Sequence, residues 1–173
     1  EVSVIFCDIQ EFNLIVQEST PAELIRLLDD VYREMDHLSD ALGVTKMETV
    51  GYTYMAACGL GGQATTMGHA HDAVEMGLAL LKVAAGFRRK NGEPLKVRVG
   101  INSGKVLSGV VGSKKCQYCL FGDTVNTAAR MQAKGVVGRV QVSKTTRERL
   151  LNGPAPGAFD LEEREFEARG LGK

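Results

Sequence analysis

The pattern of apolar positions predicts a strand followed by a long helix. VSVIFCDI, from Val2 to Ile9, is the nearly continuous apolar run of a buried β-strand. After a polar connection, Thr20, Pro21 and Glu23 have the spacing of a capping box with proline in the first turn, and Gly43 ends the predicted helix. Apolar residues then recur every three or four positions, which predicts one face packed against a sheet. They are Leu24, Leu27, Leu28, Val31, Met35 and Leu38.

The rest of the chain alternates between strand and helix patterns. Two β-prone runs meet at a glycine in KMETVGYTYM and predict a hairpin with strands at about 44–50 and 53–58. HAHDAVEMGLALLKVAAGFRRKNG predicts a second long helix that stops at Asn91-Gly92. LKVRVGIN and KVLSGVVGS predict strands around a turn at 102–104. The last predicted elements are a strand (YCLFGD), a short helix (DTVNTAARMQA), a strand (RVQV) and a helix capped by Ser143 (SKTTRERLL).

The order of these elements predicts an α+β fold. Strand, helix, hairpin, helix and strand make a ferredoxin-like βαββαβ core, with a mostly antiparallel sheet and two helices on one face. The remaining elements are predicted to form a small appended subdomain. Because this topology serves many functions, the function must come from individual residues.

Composition narrows the classes of function. With 173 residues, of which 44% are apolar and 24% charged, the chain is expected to form a single domain, 1–173. Lysine plus arginine equals aspartate plus glutamate at 21 each, so no overall field favours nucleic acid or an anionic membrane surface. No apolar run reaches the roughly 20 residues of a membrane span. We interpret the abrupt ends as those of a cytoplasmic fragment from a longer protein, which leaves membrane attachment of the parent open.

The four cysteines are expected to be reduced thiols buried in apolar strands. This is the usual role of free cysteine in a cytosolic domain. Cys116 and Cys119 have CxxC spacing, but no second pair completes a zinc set.

Several polar residues suit phosphate chemistry. Asp8 lies at the rim of the first strand, beside the predicted hairpin tip; it is either one of two magnesium carboxylates or a lone acid that caps a loop. Asn126 and Arg130 are four apart on a predicted helix and share a face, which suits a phosphoryl group or an ordinary exposed ion pair. Glu48 and Cys119, taken alone, are typical of a surface acid and a core thiol.

Four stretches together resemble one known family. VSVIFCDIQEF, KMETVGYTYMAACGL, VRVGINSGKVLSGVVGSKKCQYCLFGDTVNTAARM and GRVQVSKTT are similar to the catalytic domain of class III nucleotide cyclases, and most similar to the eukaryotic guanylate cyclases. YCLFGDTVNTAARM is the most specific of the blocks. The resemblance implies head-to-tail dimers with two active sites at the interface, each built from residues of both chains.

The resemblance implies that one chain of each site binds two metal ions, Mg²⁺ or Mn²⁺, through two aspartates. The first aspartate matches Asp8, and the backbone carbonyl of Ile9 is a further ligand. The second falls directly after the hairpin glycine, where this chain has Tyr52. A neutral phenol offers a divalent ion one poor oxygen in place of an anion.

The implied triphosphate contacts are also altered. The phosphate-binding turn usually reads close to DIVGFT and here reads DIQEFN, so Phe12 and Asn13 are retained as candidates while Glu11 replaces a small residue. The family's triphosphate lysine matches Arg169, with Lys173 as an alternative. Arginine keeps the charge but not the shape of lysine.

The opposite chain is implied to recognise the base and the transition state. Glu48 matches the acid that accepts hydrogen bonds from N1–H and the 2-amino group of guanine, and Cys119 matches the residue beside O6. Adenylate cyclases hold Lys and Asp at these positions, so guanine is favoured. Asn126 and Arg130 match the pair that orients the ribose and stabilises the pentavalent phosphorus.

The implied reaction converts GTP to cyclic GMP and pyrophosphate by in-line attack of the 3′-hydroxyl with two metal ions. Because the metal half of the site, meaning the two metal-binding aspartates and the triphosphate contacts, is defective in this chain, we expect a heterodimer in which a partner chain supplies the metals. The alternatives are a homodimer with weak, manganese-biased activity, and an inactive pseudo-cyclase that acts as a regulatory or nucleotide-binding partner. Tyr52 as an engineered change is a further alternative.

Overall fold

The computed structural model of the chain describes residues 1–165. No helix in this part combines the length and the apolarity needed to cross a membrane. A 3₁₀ turn at Leu60–Gly62 separates the hairpin from the third helix. In chain order the strands and α-helices are β1 Val2–Ile9, α1 Phe12–Glu18, α2 Pro21–Leu42, β2 Thr45–Val50, β3 Thr53–Cys58, α3 His69–Gly86, β4 Val97–Gly104, β5 Leu107–Val111, β6 Gln117–Phe121, α4 Asp123–Lys134, β7 Val140–Val142 and α5 Lys144–Leu151.

The sheet has the strand order predicted for a ferredoxin-like core. Its five strands lie in the order β2-β3-β1-β4-β7. The pairs β1–β3, β1–β4 and β2–β3 are antiparallel, and β4–β7 is parallel. A separate antiparallel pair, β5–β6, forms the appended part. Strand β7, which was predicted to belong to the appended subdomain, instead extends the main sheet beside β4. The predicted α+β fold with a mostly antiparallel sheet is therefore confirmed.

Alternating side chains of β1 give the sheet two apolar faces. Ile5, Cys7 and Ile9 pack with α2 and α3 in the larger core. Val2 and Val4 point the other way and pack with Leu120 of β6 and Ala128 of α4. Residues of one strand alternate between faces, so one strand serves both cores. The second core fixes α4, which carries two candidate site residues.

Helix α2 begins and ends where the sequence predicted. The Thr20 side chain accepts a hydrogen bond from the Glu23 backbone at 3.3 Å, and the Glu23 carboxylate accepts one from the Thr20 backbone at 2.8 Å. Pro21 is the first helical residue, and Gly43 ends the helix with φ of 64°. Local chemistry alone decided both ends of this helix.

Three boundaries differ from the prediction. The polar connection after β1 contains the short helix α1. Helix α3 ends at Gly86 and not at Asn91-Gly92, because the following residues fold into a tight turn in which Arg88 pairs with Pro94. The turn predicted at 102–104 is wrong, because β4 continues to Gly104, where it still pairs with Val2 of β1.

The expectation for the cysteines is confirmed in part. Cys7 and Cys58 are buried free thiols. Cys116 is exposed and Cys119 is half-buried, which corrects the prediction of four buried side chains. Both lie in or next to strand β6 of the β5–β6 pair.

Candidate active site

Asp8 is held at the end of β1 between two neighbouring strands. Its backbone pairs with Thr53 of β3 and Arg98 of β4. Burial raises the pKa of the Asp8 carboxyl, and the nearby side chains of Thr53, Arg98 and Gln132 offset this only in part. The Oδ1 atom is buried and has no hydrogen-bond partner within residues 1–165. A desolvated carboxylate oxygen without a partner fits one ligand position of a hard divalent cation.

The tip of the β2–β3 hairpin is fastened beside this carboxylate. The backbone N–H of Ile9 donates to the carbonyl of Tyr52 at 3.0 Å. The hydroxyl of Tyr32 donates to the carbonyl of Gly51 at 2.7 Å, and Gly51 takes the left-handed conformation with φ of 60°. The fold therefore brings together the three residues assigned to the metal position, Asp8, Ile9 and Tyr52.

The ring of Tyr52 does not replace the missing carboxylate. It stacks on the ring of Phe12 with centroids 4.9 Å apart and an interplanar angle of 30°. The Tyr52 side chain remains 43% exposed, so the stack covers the tip from the outside. Within the part of the chain that the structure describes, this position thus presents one anionic ligand, and the two-metal arrangement fits these residues only in part.

The turn after β1 is held by an ionic cluster that the sequence did not reveal. Glu11 has φ of 55°, the left-handed conformation that glycine adopts most easily. Its carboxylate accepts from Nη1 of Arg89 at 2.9 Å, and Nη2 of Arg89 contacts Glu18 at 2.7 Å. The Arg89 side chain is only 5% exposed. Glu11 is therefore engaged with Arg89 and is not free to extend over the turn.

The remaining predicted phosphate contacts are distributed along the chain. Phe12 and Asn13 form the first turn of α1, where Asn13 is exposed and Phe12 is half-buried beneath the Tyr52 ring. Arg169 and its alternative Lys173 lie outside the described residues.

Glu48 and Cys119 line the same cleft. The cleft has a volume of about 200 Å³ and lies between the β2–β3 hairpin and β6. The thiol of Cys119 donates to the carbonyl of Gln117 at 3.6 Å, and Glu48 is exposed. The cleft is smaller than the roughly 300–1,000 Å³ typical of pockets for complete small ligands. It therefore suits one part of a nucleotide, such as the base.

A β-bulge shapes the wall of this cleft. Lys46 pairs with Ala56 and Glu48 pairs with Met55, which leaves Met47 as an extra residue in β2. Because the bulge interrupts the alternation, both Met47 and Glu48 line the cleft. The sequence did not reveal that Met47 and Met55 form apolar walls of this cleft, because both look like ordinary strand residues.

Asn126 and Arg130 lie one turn apart on α4, as predicted. Asn126 is exposed and Arg130 is half-buried. Within residues 1–165, neither side chain has a hydrogen bond or ion pair, so the alternative of an ordinary ion pair is not observed for Arg130. A Cβ at Gly100 of β4 would lie 1.9 Å from the backbone nitrogen of Gln132, so glycine permits the close approach of α4 to the sheet.

The candidate residues form separate groups within one chain. The lining of the cleft that contains Glu48 and Cys119 includes neither Asp8 nor Arg130. A complete site would therefore need groups from more than one position on the surface.

A comparison with protein families identifies the family of the chain. The family described as "Adenylate and Guanylate cyclase catalytic domain" matches residues 1–172. The chain belongs to this family. Atrial natriuretic peptide receptor 2 of Homo sapiens is 41% identical over 175 residues, which covers 99% of this chain and 16% of the receptor. This cyclase domain therefore spans about one sixth of the length of the receptors it matches.

Solved cyclase structures share the fold. The guanylate cyclase domain of RhGC from Catenaria anguillulae, in complex with GTP, has a TM-score of 0.80 and 33% identity, covering 86% of this chain and 81% of that one. The catalytic core of a rhodopsin-guanylyl cyclase with converted specificity, in complex with ATPαS, has a TM-score of 0.88 and 31% identity, covering 99% and 90%. This cyclase domain is thus similar to cores that bind nucleoside triphosphates.

Proposed function

We propose that this cyclase domain converts GTP to cyclic GMP and pyrophosphate as one member of a head-to-tail dimer. The observation that carries the proposal is that Glu48 and Cys119, which are 71 positions apart in the sequence, line one cleft of base size. A carboxylate accepts from both N1–H and the 2-amino group of guanine, whereas adenine presents an acceptor at N1. A pocket built for guanine therefore leaves polar groups unpaired when adenine enters.

Helix α4 supplies the groups for the reacting phosphate. Asn126 orients the ribose, and Arg130 stabilises the charge that develops on the α-phosphate during transfer. The absence of an ion-pair partner for Arg130 within residues 1–165 supports this role, because its guanidinium is available to an anion. The side chains share a face, so one nucleotide contacts both.

This chain supplies an incomplete metal half. Asp8 and the backbone carbonyl of Ile9 would hold a divalent ion, Mg²⁺ or Mn²⁺, and Phe12, Asn13 and Arg169 would contact the triphosphate. When bound, the ions lower the pKa of the attacking 3′-hydroxyl and neutralise the phosphates. Tyr52 occupies the second carboxylate position. We therefore infer that a partner chain with two aspartates provides the metals of the productive site, while this chain provides the base and transition-state contacts.

The Phe12–Tyr52 stack also supports a second function. A ring pair over the turn hinders entry of a triphosphate at this chain's own metal half. If the partner is equally incomplete, the domain acts as a pseudo-cyclase that binds nucleotide or regulates another chain. A homodimer with weak, manganese-biased activity is the intermediate case.

A complementation assay distinguishes these functions. Cyclic GMP formation is measured for the chain alone and after mixing with a cyclase domain that has both metal aspartates but lacks its own Asn/Arg pair. We expect activity only in the mixture, and its loss when this chain carries Arg130→Ala. Activity of the lone chain in Mg²⁺ would contradict the shared site, and no activity in any mixture would support the pseudo-cyclase.

Base preference tests the assignment of the cleft. In an active mixture, Glu48→Lys combined with Cys119→Asp should shift the preference from GTP toward ATP. Glu34→Lys, an equivalent charge change on the exposed face of α2, is the matched control and should leave the preference unchanged. An unchanged preference in the double variant would refute the role of this cleft.

The parent protein is proposed to be longer than this domain, with the domain on the cytoplasmic side, where GTP is available. The receptor relatives, of which the domain covers 16%, support this arrangement. Membrane contact and nucleic-acid binding are not proposed for the domain itself, because its charges balance.

A further inference from the structure

A row of polar side chains crosses the interior from α3 to the middle of the sheet. The Oγ atom of Ser3 lies 2.8 Å from Nδ1 of His69 and 2.6 Å from Oγ of Ser103. The Ser103 hydroxyl lies 2.9 Å from Oγ1 of Thr146. Ser3, Ser103 and Thr146 are at most 3% exposed. Buried hydroxyls need partners, so this row forms one connected network.

The row ends on the helix that carries the candidate transition-state residues. Thr146 lies 3.1 Å from the Ser143 hydroxyl, which donates to Oδ1 of Asn102 at 2.6 Å. Thr145 donates to the same Oδ1 at 2.8 Å. On the other side of the amide, Nδ2 of Asn102 donates to the carbonyl of Thr124 in the first turn of α4 at 3.0 Å. Asn102 therefore connects the start of α5 to the start of α4.

Counting protons fixes the direction of each bond between Asn102 and His69. The Ser143 and Thr145 hydroxyls both donate to Asn102, so the 2.9 Å contact between these two hydroxyls is not a hydrogen bond. An amide oxygen facing the Thr124 carbonyl would place two acceptors together, so Nδ2 of Asn102 must face it. Oδ1 then faces Ser143, and the 2.6 Å contact between them requires the single Ser143 proton. Thr146 must therefore donate to Ser143, because a hydroxyl has only one proton to give.

The same count of hydroxyl protons gives the direction of each bond from Thr146 to His69. With its proton on Ser143, Thr146 accepts from Ser103, and Ser103 accepts from Ser3. Ser3 has then no proton left for the ring of His69. Nδ1 of His69 must be the donor, so the imidazole carries a proton on Nδ1 whatever its charge.

Helix α4 has no side-chain cap at its N-terminus. Its N-cap residue is Gly122, with φ of 122° and no side-chain hydrogen bond to the free backbone N–H groups. Thr124 is instead held through its carbonyl by Asn102, and its hydroxyl donates to the carbonyl of Lys105 at 2.6 Å. The first turn thus depends on contacts from β4.

We propose that Asn102 is a positioning residue: its amide, aligned by the hydroxyl donors of α5, fixes the first turn of α4 and thereby places Asn126 and Arg130. The roles of Asn126 and Arg130 in this inference rest on the proposed function. Asn102 itself touches no substrate, and it acts through the backbone of Thr124.

Hydrogen exchange of the α4 amides at 125–128 tests the placement without any need for activity. Asn102→Leu keeps a similar volume and removes the bond to Thr124. Ser3→Ala is the matched control, because it breaks the same network but leaves the three bonds of Asn102 intact. After correction for global stability, we expect opening of this turn to increase at least about tenfold in Asn102→Leu and to stay within about threefold in Ser3→Ala. Equal protection in the two variants would overturn the proposal.

Kinetics of the complemented mixture test the consequence for the reaction. Asn102→Leu should lower kcat for GTP by about tenfold or more with KM changed less than twofold, because Glu48 and Cys119 lie on β2 and β6 and keep their positions while Asn126 and Arg130 on α4 are displaced. An unchanged kcat in an active mixture would overturn the positioning role. A wild-type mixture without activity would contradict the proposed function, and the exchange comparison would still decide whether Asn102 fixes α4.

A milder variant covers the case in which Asn102→Leu does not fold. Thr145 is exposed, and Thr145→Val removes only one of the donors that align the Asn102 amide. We expect the same loosening of α4, reduced to a few-fold. Full protection in this variant together with an unaltered kcat would refute the alignment step.

Discussion

Replacement of Tyr52 by aspartate tests the central feature of the candidate metal position. Tyr52→Asp places a second carboxylate beside Asp8, at a hairpin tip that is already fastened to β1 by the Ile9–Tyr52 backbone bond. The substitution needs no change in backbone, because Gly51 supplies the left-handed residue of the turn. The side chain at position 52 is therefore the only variable.

The expected magnitudes follow from the contacts of the ring. Loss of the 4.9 Å stack on Phe12 removes about 1 kcal/mol. A like charge near the desolvated Asp8 adds a cost of about 1 kcal/mol in a half-exposed setting. The metal-free variant should thus unfold about 4–8 °C below the wild type, since each kcal/mol shifts a chain of this size by about 2–4 °C. Divalent ion at 100 times its dissociation constant would return about 2.7 kcal/mol.

Thermal unfolding in EDTA and in Mn²⁺ measures both effects. Tyr52→Asn is the matched control, because it loses the ring but adds no charge. We expect Mn²⁺ to raise the melting temperature of Tyr52→Asp by several degrees and to have little effect on Tyr52→Asn or the wild type. Cyclic GMP formation by the lone chain should rise strongly in Tyr52→Asp.

Equal responses of Tyr52→Asp and Tyr52→Asn to Mn²⁺ would refute the assignment of this tip to metal binding. A metal response without a gain in activity would keep the metal site and favour the pseudo-cyclase function. The two readouts therefore separate binding from turnover.

Three further predictions concern stability. Arg89→Met should lower the free energy of unfolding by about 2 kcal/mol in urea denaturation, because it leaves the carboxylates at both ends of α1 unpaired; a loss below about 0.5 kcal/mol would contradict this. Burial and nearby Arg149 lower the pKa of His69. The free energy of unfolding should therefore fall as the pH drops below about 6.5 toward the folded-state pKa. His69→Asn should reduce this pH dependence, whereas His37→Asn, on an exposed helix face, should not. Because burial raises the pKa of Asp8, the ionised form of this carboxyl opposes folding. Asp8→Asn should therefore raise the melting temperature at pH 7. This gain in melting temperature should fade as the pH falls through the folded-state pKa of Asp8. A lower melting temperature for Asp8→Asn at pH 7 would show that the charge is compensated.

Features determined by neighbouring residues were predictable from the sequence. The capping box at Thr20 and Glu23 and the glycine stop at Gly43 involve residues within one turn of each other, and local chemistry decides them. The strand order followed from the sequence of elements, because few topologies accommodate strand, helix, hairpin, helix and strand. The candidate residues Glu48 and Cys119 could be named from motifs, although their shared cleft required the fold.

Features determined by distant residues were not predictable. Helix α1 follows a left-handed Glu11 whose carboxylate is paired with Arg89, 78 positions away. The bulge in β2 depends on its register with β3, which periodicity does not encode. Helix α3 ends early because Phe87 belongs to a local turn. The helix-like pattern of the residues around Phe87 does not indicate this turn. Arg89, in the turn that follows α3, pairs with Glu11 and Glu18 at the two ends of α1, so these two unpredicted features are neighbours in the fold.

The conformation of Glu11 constrains how the sequence of this domain can evolve. An ordinary side chain in the left-handed region costs about 1–2 kcal/mol relative to glycine. Here a guanidinium from a separate part of the chain compensates that strain, so positions 11 and 89 form an epistatic pair. Glycine at position 11 would remove one of the carboxylates paired with Arg89 and leave Glu18, whereas loss of Arg89 while Glu11 remains would be selected against. The order in which these two positions can change is therefore constrained, with position 11 first.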